Sequence, residues 1–242
     1  DPAHARRLFE ALIPLRLRWY GLATTLLAED ADLLALAARS GCAGILMGFE
    51  SISPETLRRS SKGFNHPHRY REIVERLHAH GIALQGCFVF GHDSDTPEVF
   101  KKTARFAVEA KIDLPRFAVL TPFPGTPLFK RLENEGRILT RDWEQYDAQH
   151  VVFQPARMTP QQLQEGTERA WKQAYSYGSI ARRLWRSPSA SAVGIGANLG
   201  YRFYAHNLKK FYTCDWPIGP ADSRNSNPPK RPSDKPVATS TA

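Results

Sequence analysis

The run GILMGFE, residues 44–50, is apolar enough for a strand buried on both faces, yet it ends in a carboxylate. Alternation puts Gly44, Leu46, Gly48 and Glu50 on one face and Ile45, Met47 and Phe49 on the other. The bulky face should pack on helices. The glycine-rich face leaves room for a ligand in front of Glu50. Two roles for this carboxylate stay open from the pattern alone: a ligand contact, or a structural charge that pairs with Arg58 or Arg59 or favours the helix starting at Ser53. His92, Asp93 and Asp95 follow a second apolar run and carry groups that handle protons or position substrates. The pairs His66/His68 and His78/His80 stand at i, i+2, share no helix face and read as surface residues. Cys42, Cys87 and Cys214 are spaced too widely for a closed zinc site. They fit free thiols in a reducing compartment, which makes a cytoplasmic location the expectation, and no metal ligand is assigned.

These groups need elements to hold them. Three apolar runs, residues 44–50, 82–91 and 116–123, are rich in branched and aromatic residues and bounded by Gly or Pro, so each reads as a buried strand. A weaker strand, LRWYGLAT (17–24), precedes them, and HVVFQP (150–155) reads as a last short one. Between them run helical faces: Leu33, Leu34, Leu36 and Ala37; Tyr70, Ile73, Val74 and Leu77; Val99, Phe100, Thr103, Phe106, Ala107 and Ala110. Ser53-Pro54, Thr96-Pro97, Thr126-Pro127 and Thr159-Pro160 each offer a capping hydroxyl followed by proline in the first turn. Gly81 and Gly136 mark helix ends. Alternating strand and helix implies a parallel sheet with right-handed crossovers. An open doubly wound sheet and a (β/α) barrel both satisfy this, and in either one ligands meet the carboxyl ends of the strands.

The last quarter differs. From residue 181 onward ten Arg or Lys stand against three Asp, so this part carries +7 of the net +9. A basic tail binds nucleic acid or anionic membrane, or simply keeps the protein soluble. SPSASAVGIGANLG (187–200) is expected to be a flexible linker. Its GxGxxxG follows no strand, which argues against a dinucleotide site. ANLGYRFYAHNLKKFY (197–212) is expected to be a basic amphipathic helix, and residues 215–242, full of Pro, Ser, Asn and Lys, to be disordered. No apolar run approaches the roughly 20 residues of a membrane span. The chain opens on Asp1 with helical pattern from residue 2, and is expected to be part of something longer.

GCAGILMGFESISPETLRRSSKGFN, GIALQGCFVFGHDSDTPEVF and LTPFPGTPLFKRLENEGRIL, in this order and spacing, resemble the second half of a radical S-adenosylmethionine (SAM) enzyme core, of the group associated with a cobalamin-binding domain. The resemblance spans residues 1–185. It implies a partial (β/α)₆, TIM-like barrel with strands three to six present, followed by a helical C-terminal extension. Residues 1–150 would be the partial barrel, 151–186 its extension, 187–214 a linker and helix, and 215–242 a disordered tail. The family's CxxxCxxC loop and the glycine-rich motif after strand two are not in this sequence, so a segment without them is expected to be inactive alone.

The resemblance also implies roles. Glu50, with Ser51 as the fallback, would bind the ribose hydroxyls of SAM; Lys62 would meet the methionyl carboxylate. Cys87, Val89 and Gly91 would lie along the adenosyl group, and the backbone of Leu120 and Thr121 near the adenine. His92 and Asp93 are the catalytic candidates. Implied cofactors are SAM, a 4Fe-4S cluster with ligands outside this chain, and cobalamin. Implied partners are a small-molecule substrate, the first half of the barrel, and an electron donor such as flavodoxin or ferredoxin. Nucleic acid is not expected among them. Leu22 stands where relatives often show an amide, and no substrate is named. A different class stays open: a non-catalytic α/β module whose basic tail binds a protein or nucleic-acid partner.

Overall fold

A computed structural model describes residues 1–60 and 62–211. Four parallel strands form one sheet in the order β1 (Trp19–Ala23), β2 (Cys42–Glu50), β3 (Ala83–Phe90) and β4 (Arg116–Val119). Successive strands are neighbours, as right-handed crossovers along one barrel wall require. Helix α1 (Pro2–Leu12) precedes β1, and α2 (Ala31–Arg39) joins β1 to β2. Helices α3 (Pro54–Arg59) and α4 (Tyr70–Ala79) join β2 to β3, and α5 (Glu98–Glu109) joins β3 to β4. Helices α6 (Pro127–Asn134), α7 (Pro160–Ala174), α8 (Tyr177–Leu184) and α9 (Ala192–His206) follow.

The core lies between the sheet and the crossover helices. Ile45, Met47 and Phe49 are buried there with Leu84, Phe88, Phe90, Phe117 and Val119, facing Leu34, Ile73, Leu77 and Ala107. Phe117 stacks on Phe88 and Phe90, and Phe49 on Tyr70. The opposite face of the sheet is only partly covered: Tyr20 and Leu22 on β1 are 69% and 83% exposed. At the other end of the sheet α7 blunts the β4 edge. Trp171 Nε1 donates to the Phe117 carbonyl at 2.9 Å and the Tyr175 hydroxyl to that of Pro115 at 2.9 Å, satisfying backbone groups that an open edge would leave unpaired. Arg183, fully buried in α8, donates to the carbonyls of Ile112, Asp113 and Ala174 and ties α8 to the loop before β4.

Several expectations shift. Residues 187–200 are not a linker throughout: from Ala192 they belong to α9. Ser191 caps that helix by accepting from the Gly194 N–H, and Tyr201 and Tyr204 anchor it on Trp171 of α7, so tertiary contact overrides glycine's low helix propensity. The last short strand reduces to one antiparallel bridge, Ile138 to Phe153. Proline has no N–H, and Pro155 closes that segment early. Strand β4 stops at Val119 rather than running to 123, because prolines follow at 122 and 124. Helix α5 begins at Glu98 with Pro97 as its cap, while the Thr96 hydroxyl turns to the Glu98 carboxylate. The caps at Ser53, Thr126 and Thr159 form as read, the last as a full capping box with Gln162. Residues 215–242 and Cys214 lie outside the described residues.

Candidate functional site

Strand β2 ends on an irregularity. Its register with β3 slips between Gly48 and Glu50, and Glu50 takes a left-handed backbone with φ 64°. A non-glycine residue rarely holds this conformation, and it persists only where the surroundings over-determine it. Here they do. The Asn65 amide donates to the carbonyls of Gly48 and Phe49 at 2.9 and 3.2 Å, and its oxygen accepts from Thr25 Oγ1 at 3.0 Å. The Tyr70 hydroxyl lies 2.8 Å from the Phe49 carbonyl and 3.1 Å from that of Ser51. Burial pushes the Tyr70 phenol well up, with the Glu50 charge adding to it, so the hydroxyl stays a donor.

The bend folds the Glu50 side chain back over Gly48. A Cβ on Gly48 would stand 2.5 Å from Glu50 Oε1, so glycine is what leaves space for the carboxylate. Lys62 Nζ lies 3.2 Å from the same oxygen. The pairing with Arg58 or Arg59 that the sequence left open is not made; Arg59 pairs with Glu55 at 3.0 Å. Cys87 sits opposite Gly48 across the ladder. Burial pushes its thiol up, Arg116 counters, and Glu50 raises it further, so it is no activated nucleophile. Val89, half-buried, follows on the same face. Cys42 is buried and its thiol is pushed up to about 11 by that burial.

A second group gathers where β3 and β4 end. A cavity of about 720 Å³ is lined by Thr56, Arg59, Ser60, His92, Asp93, Ser94, Leu120, Pro127, Leu128 and Arg131. Asp93 accepts from Arg131 at 2.6 Å and Arg137 at 2.7 Å. Burial would raise its carboxyl, but the two guanidiniums outweigh that and hold it below the usual range. His92 Nε2 is buried with no hydrogen-bond partner among the described residues. Burial lowers the imidazole pKa against the pull of Asp93, so the ring is neutral at pH 7. Asp95 accepts the N–H groups of Gly91 and His92, both at 3.0 Å. Its burial still raises it to about 6.

The expected site residues thus fall into two clusters. Glu50, Lys62, Cys87 and Val89 share the open sheet face; Leu120, His92 and Asp93 share the rim cavity. The others make local structural contacts. Ser51 is buried and its hydroxyl accepts the Ser53 N–H at 3.1 Å. Thr121 is buried with its hydroxyl on the Val119 carbonyl. Gly91 has φ 107°, and a Cβ there would meet Leu163 at 2.9 Å and Phe153 at 3.2 Å, so packing as well as conformation requires glycine. The pattern did not single out Asn65 and Tyr70 as site residues. Tyr70 reads as one more apolar position on α4, and its hydroxyl was the available signal.

Comparisons with known proteins bear on the fold and the resemblance. A family model described as a domain of unknown function, DUF4070, matches residues 126–213. The chain is 34% identical over 187 residues to bacteriochlorophyllide d C-12(1)-methyltransferase of Chlorobaculum tepidum, covering 77% of this chain and 41% of that protein. It is 31% identical over 185 residues to the bacteriochlorophyllide d C-8(2)-methyltransferase of the same organism, covering 76% and 41%. It is 25% identical over 176 residues to an anaerobic magnesium-protoporphyrin IX monomethyl ester cyclase of Cereibacter sphaeroides, covering 72% and 28%. The chain therefore spans less than half the length of these relatives. In fold it is similar to the radical S-adenosylmethionine methyltransferase TsrM of Kitasatospora setae, solved with cobalamin and a [4Fe-4S] cluster bound. The TM-score is 0.50 at 22% identity, covering 68% of this chain and 32% of that one. The ordered motifs, the parallel half-barrel wall and these relatives bear out the chain's resemblance to the radical SAM enzymes.

Proposed function

We propose that this chain forms the SAM-facing wall of a cobalamin-associated radical SAM enzyme that methylates or rearranges an unactivated carbon. The supporting observation is the Glu50 carboxylate, held over Gly48 at the carboxyl end of β2 with Lys62 beside it. Two adjacent ribose hydroxyls suit a carboxylate that accepts through both oxygens, and an ammonium suits the methionyl carboxylate. When bound, SAM, the 4Fe-4S cluster and cobalamin supply one-electron cleavage, hydrogen abstraction and methyl carriage. Neither cysteine among the described residues fits the cluster: Cys42 is buried, and Cys87 faces a carboxylate.

The chain's own residues bind and orient. Glu50 fixes the sugar, and Asn65 and Tyr70 hold Glu50's backbone in its bend. Ser51 and Thr121 shape the exits of β2 and β4. The backbone of Leu120 lies beside the rim cavity, where the substrate enters. There neutral His92 takes or gives a proton at Nε2, and Asp93, already held by two arginines, sets the field around it.

The test is titration of SAM into the full-length enzyme and its Glu50→Ala variant. The variant should bind at least about ten-fold more weakly, the loss of a charge-assisted pair of hydrogen bonds. Equal affinity would remove Glu50 from the site.

A further inference from the structure

Helix α9 has an unusual outer face. Val193, Ile195 and Leu199 are 76%, 45% and 46% exposed. Gly196 and Gly200 are exposed between them, and no charged residue stands among them. The inner face is already used: Asn198 and Ala205 are fully buried, and Tyr201 stacks on Trp171 and Tyr175. A surface helix normally turns polar residues to water, so an apolar outer face needs a cover. Tyr177 on α8 and Trp185 just after it are 68% and 71% exposed, and the Arg202 guanidinium of α9 lies 3.8 Å over the Tyr177 ring.

The stretch of chain that builds this face carries one sign of charge. Between Glu168 and Asp215 every charged residue is basic: Arg169, Lys172, Arg182, Arg183, Arg186, Arg202, Lys209 and Lys210. Arg182 and Arg186 are exposed.

We propose that the α8–α9 surface docks on an anionic lipid bilayer. A matching cover must be apolar in depth and anionic at its edge, and a bilayer carrying anionic headgroups is both. Exposed Trp and Tyr beside an apolar helix face suit the headgroup level. Nucleic acid offers the charge but nothing apolar for Val193, Ile195 and Leu199. A second copy would bring the same basic charge against its own. Helix α9 packs on α7, and the Gln85 amide of β3 donates to its Tyr201 hydroxyl at 2.8 Å, so the inner face is held by the fold and the outer face is turned away from it. The helix lies in the membrane plane and does not cross it: no described helix is long and apolar enough to span.

The full-length enzyme is tested by co-sedimentation with phosphatidylcholine vesicles, with and without phosphatidylglycerol. Binding is expected to the anionic vesicles, to fall as salt rises, and to drop about ten-fold or more for Val193→Glu/Leu199→Glu. Arg182→Ala/Arg186→Ala, which alters only exposed charge, should lower it by a similar factor and serves if the first variant misfolds. Brominated lipid should quench tryptophan emission, and less so in Trp185→Phe. No vesicle binding overturns the proposal, as does equal binding of the glutamate variant, which would leave the basic tail as the cause. So does preferential binding of duplex nucleic acid, or lipid-free self-association that Val193→Glu/Leu199→Glu abolishes.

Discussion

Lys62 Nζ lies 3.2 Å from Glu50 Oε1, across the open end of β2. The side chains are 43% and 21% exposed, so their mutual attraction is screened and contributes little to folding. On the proposed function, the pair keeps two charges in place until SAM, with both a diol and a carboxylate, competes for them. Lys62→Met should therefore leave the melting temperature almost unchanged, with a stability loss below about 1 kcal/mol. It should weaken SAM binding to the full-length enzyme by about ten-fold. Thermal unfolding and SAM titration separate the two effects. A large loss of stability with unchanged affinity would make Lys62 structural.

Gly48→Ala tests the cradle. The added methyl would stand 2.5 Å from the Glu50 carboxylate, the far end of a flexible side chain, so the carboxylate moves rather than the backbone. Stability should change by less than about 1.5 kcal/mol, a modest packing effect, while SAM affinity falls as for Glu50→Ala. Isothermal titration and denaturant unfolding on the same preparation check both.

Asp95 gives a pH signature. Its folded pKa is raised to about 6 from 3.8 by burial, despite the two N–H donors that lower it. The folded protein binds this proton more tightly than the unfolded chain. Its contribution is most favourable below about pH 4 and is lost as pH rises towards 6, a swing of about 3 kcal/mol at most. Asp95→Asn keeps an oxygen for Gly91 and His92 but cannot titrate. The difference in unfolding free energy between wild type and Asp95→Asn should therefore shift in the variant's favour between pH 4 and 6 and stay flat above about 7. A flat difference throughout would mean that Asp95 is not buried as described.

Arg183→Met should destabilise the chain by about 3 kcal/mol or more, because three buried carbonyls lose their donor together. The fold is expected to loosen first where α8 meets the loop before β4, read by hydrogen exchange at residues 110–116.

Burial pattern and punctuation carried most of the fold. The four strands, the faces of α2, α4 and α5, the caps at Ser53, Thr126 and Thr159 and the stops at Gly81 and Gly136 follow from side-chain period and local backbone preference, which act over a few residues. Glu50 at a strand end was visible for the same reason. What the pattern could not hold was anything set by partners far along the chain. GIGANLG is a poor helix by propensity, and it folds as one because Tyr201 and Tyr204 find Trp171 some thirty residues away. The partner of Glu50 is Lys62 rather than a neighbouring arginine because the bend at φ 64° turns the carboxylate over Gly48. That bend is held by Asn65 and Tyr70, whose relevance exists only once α4 has packed on β2. Sequence determined which residues could do chemistry and on which face; long-range contact decided which of them meet.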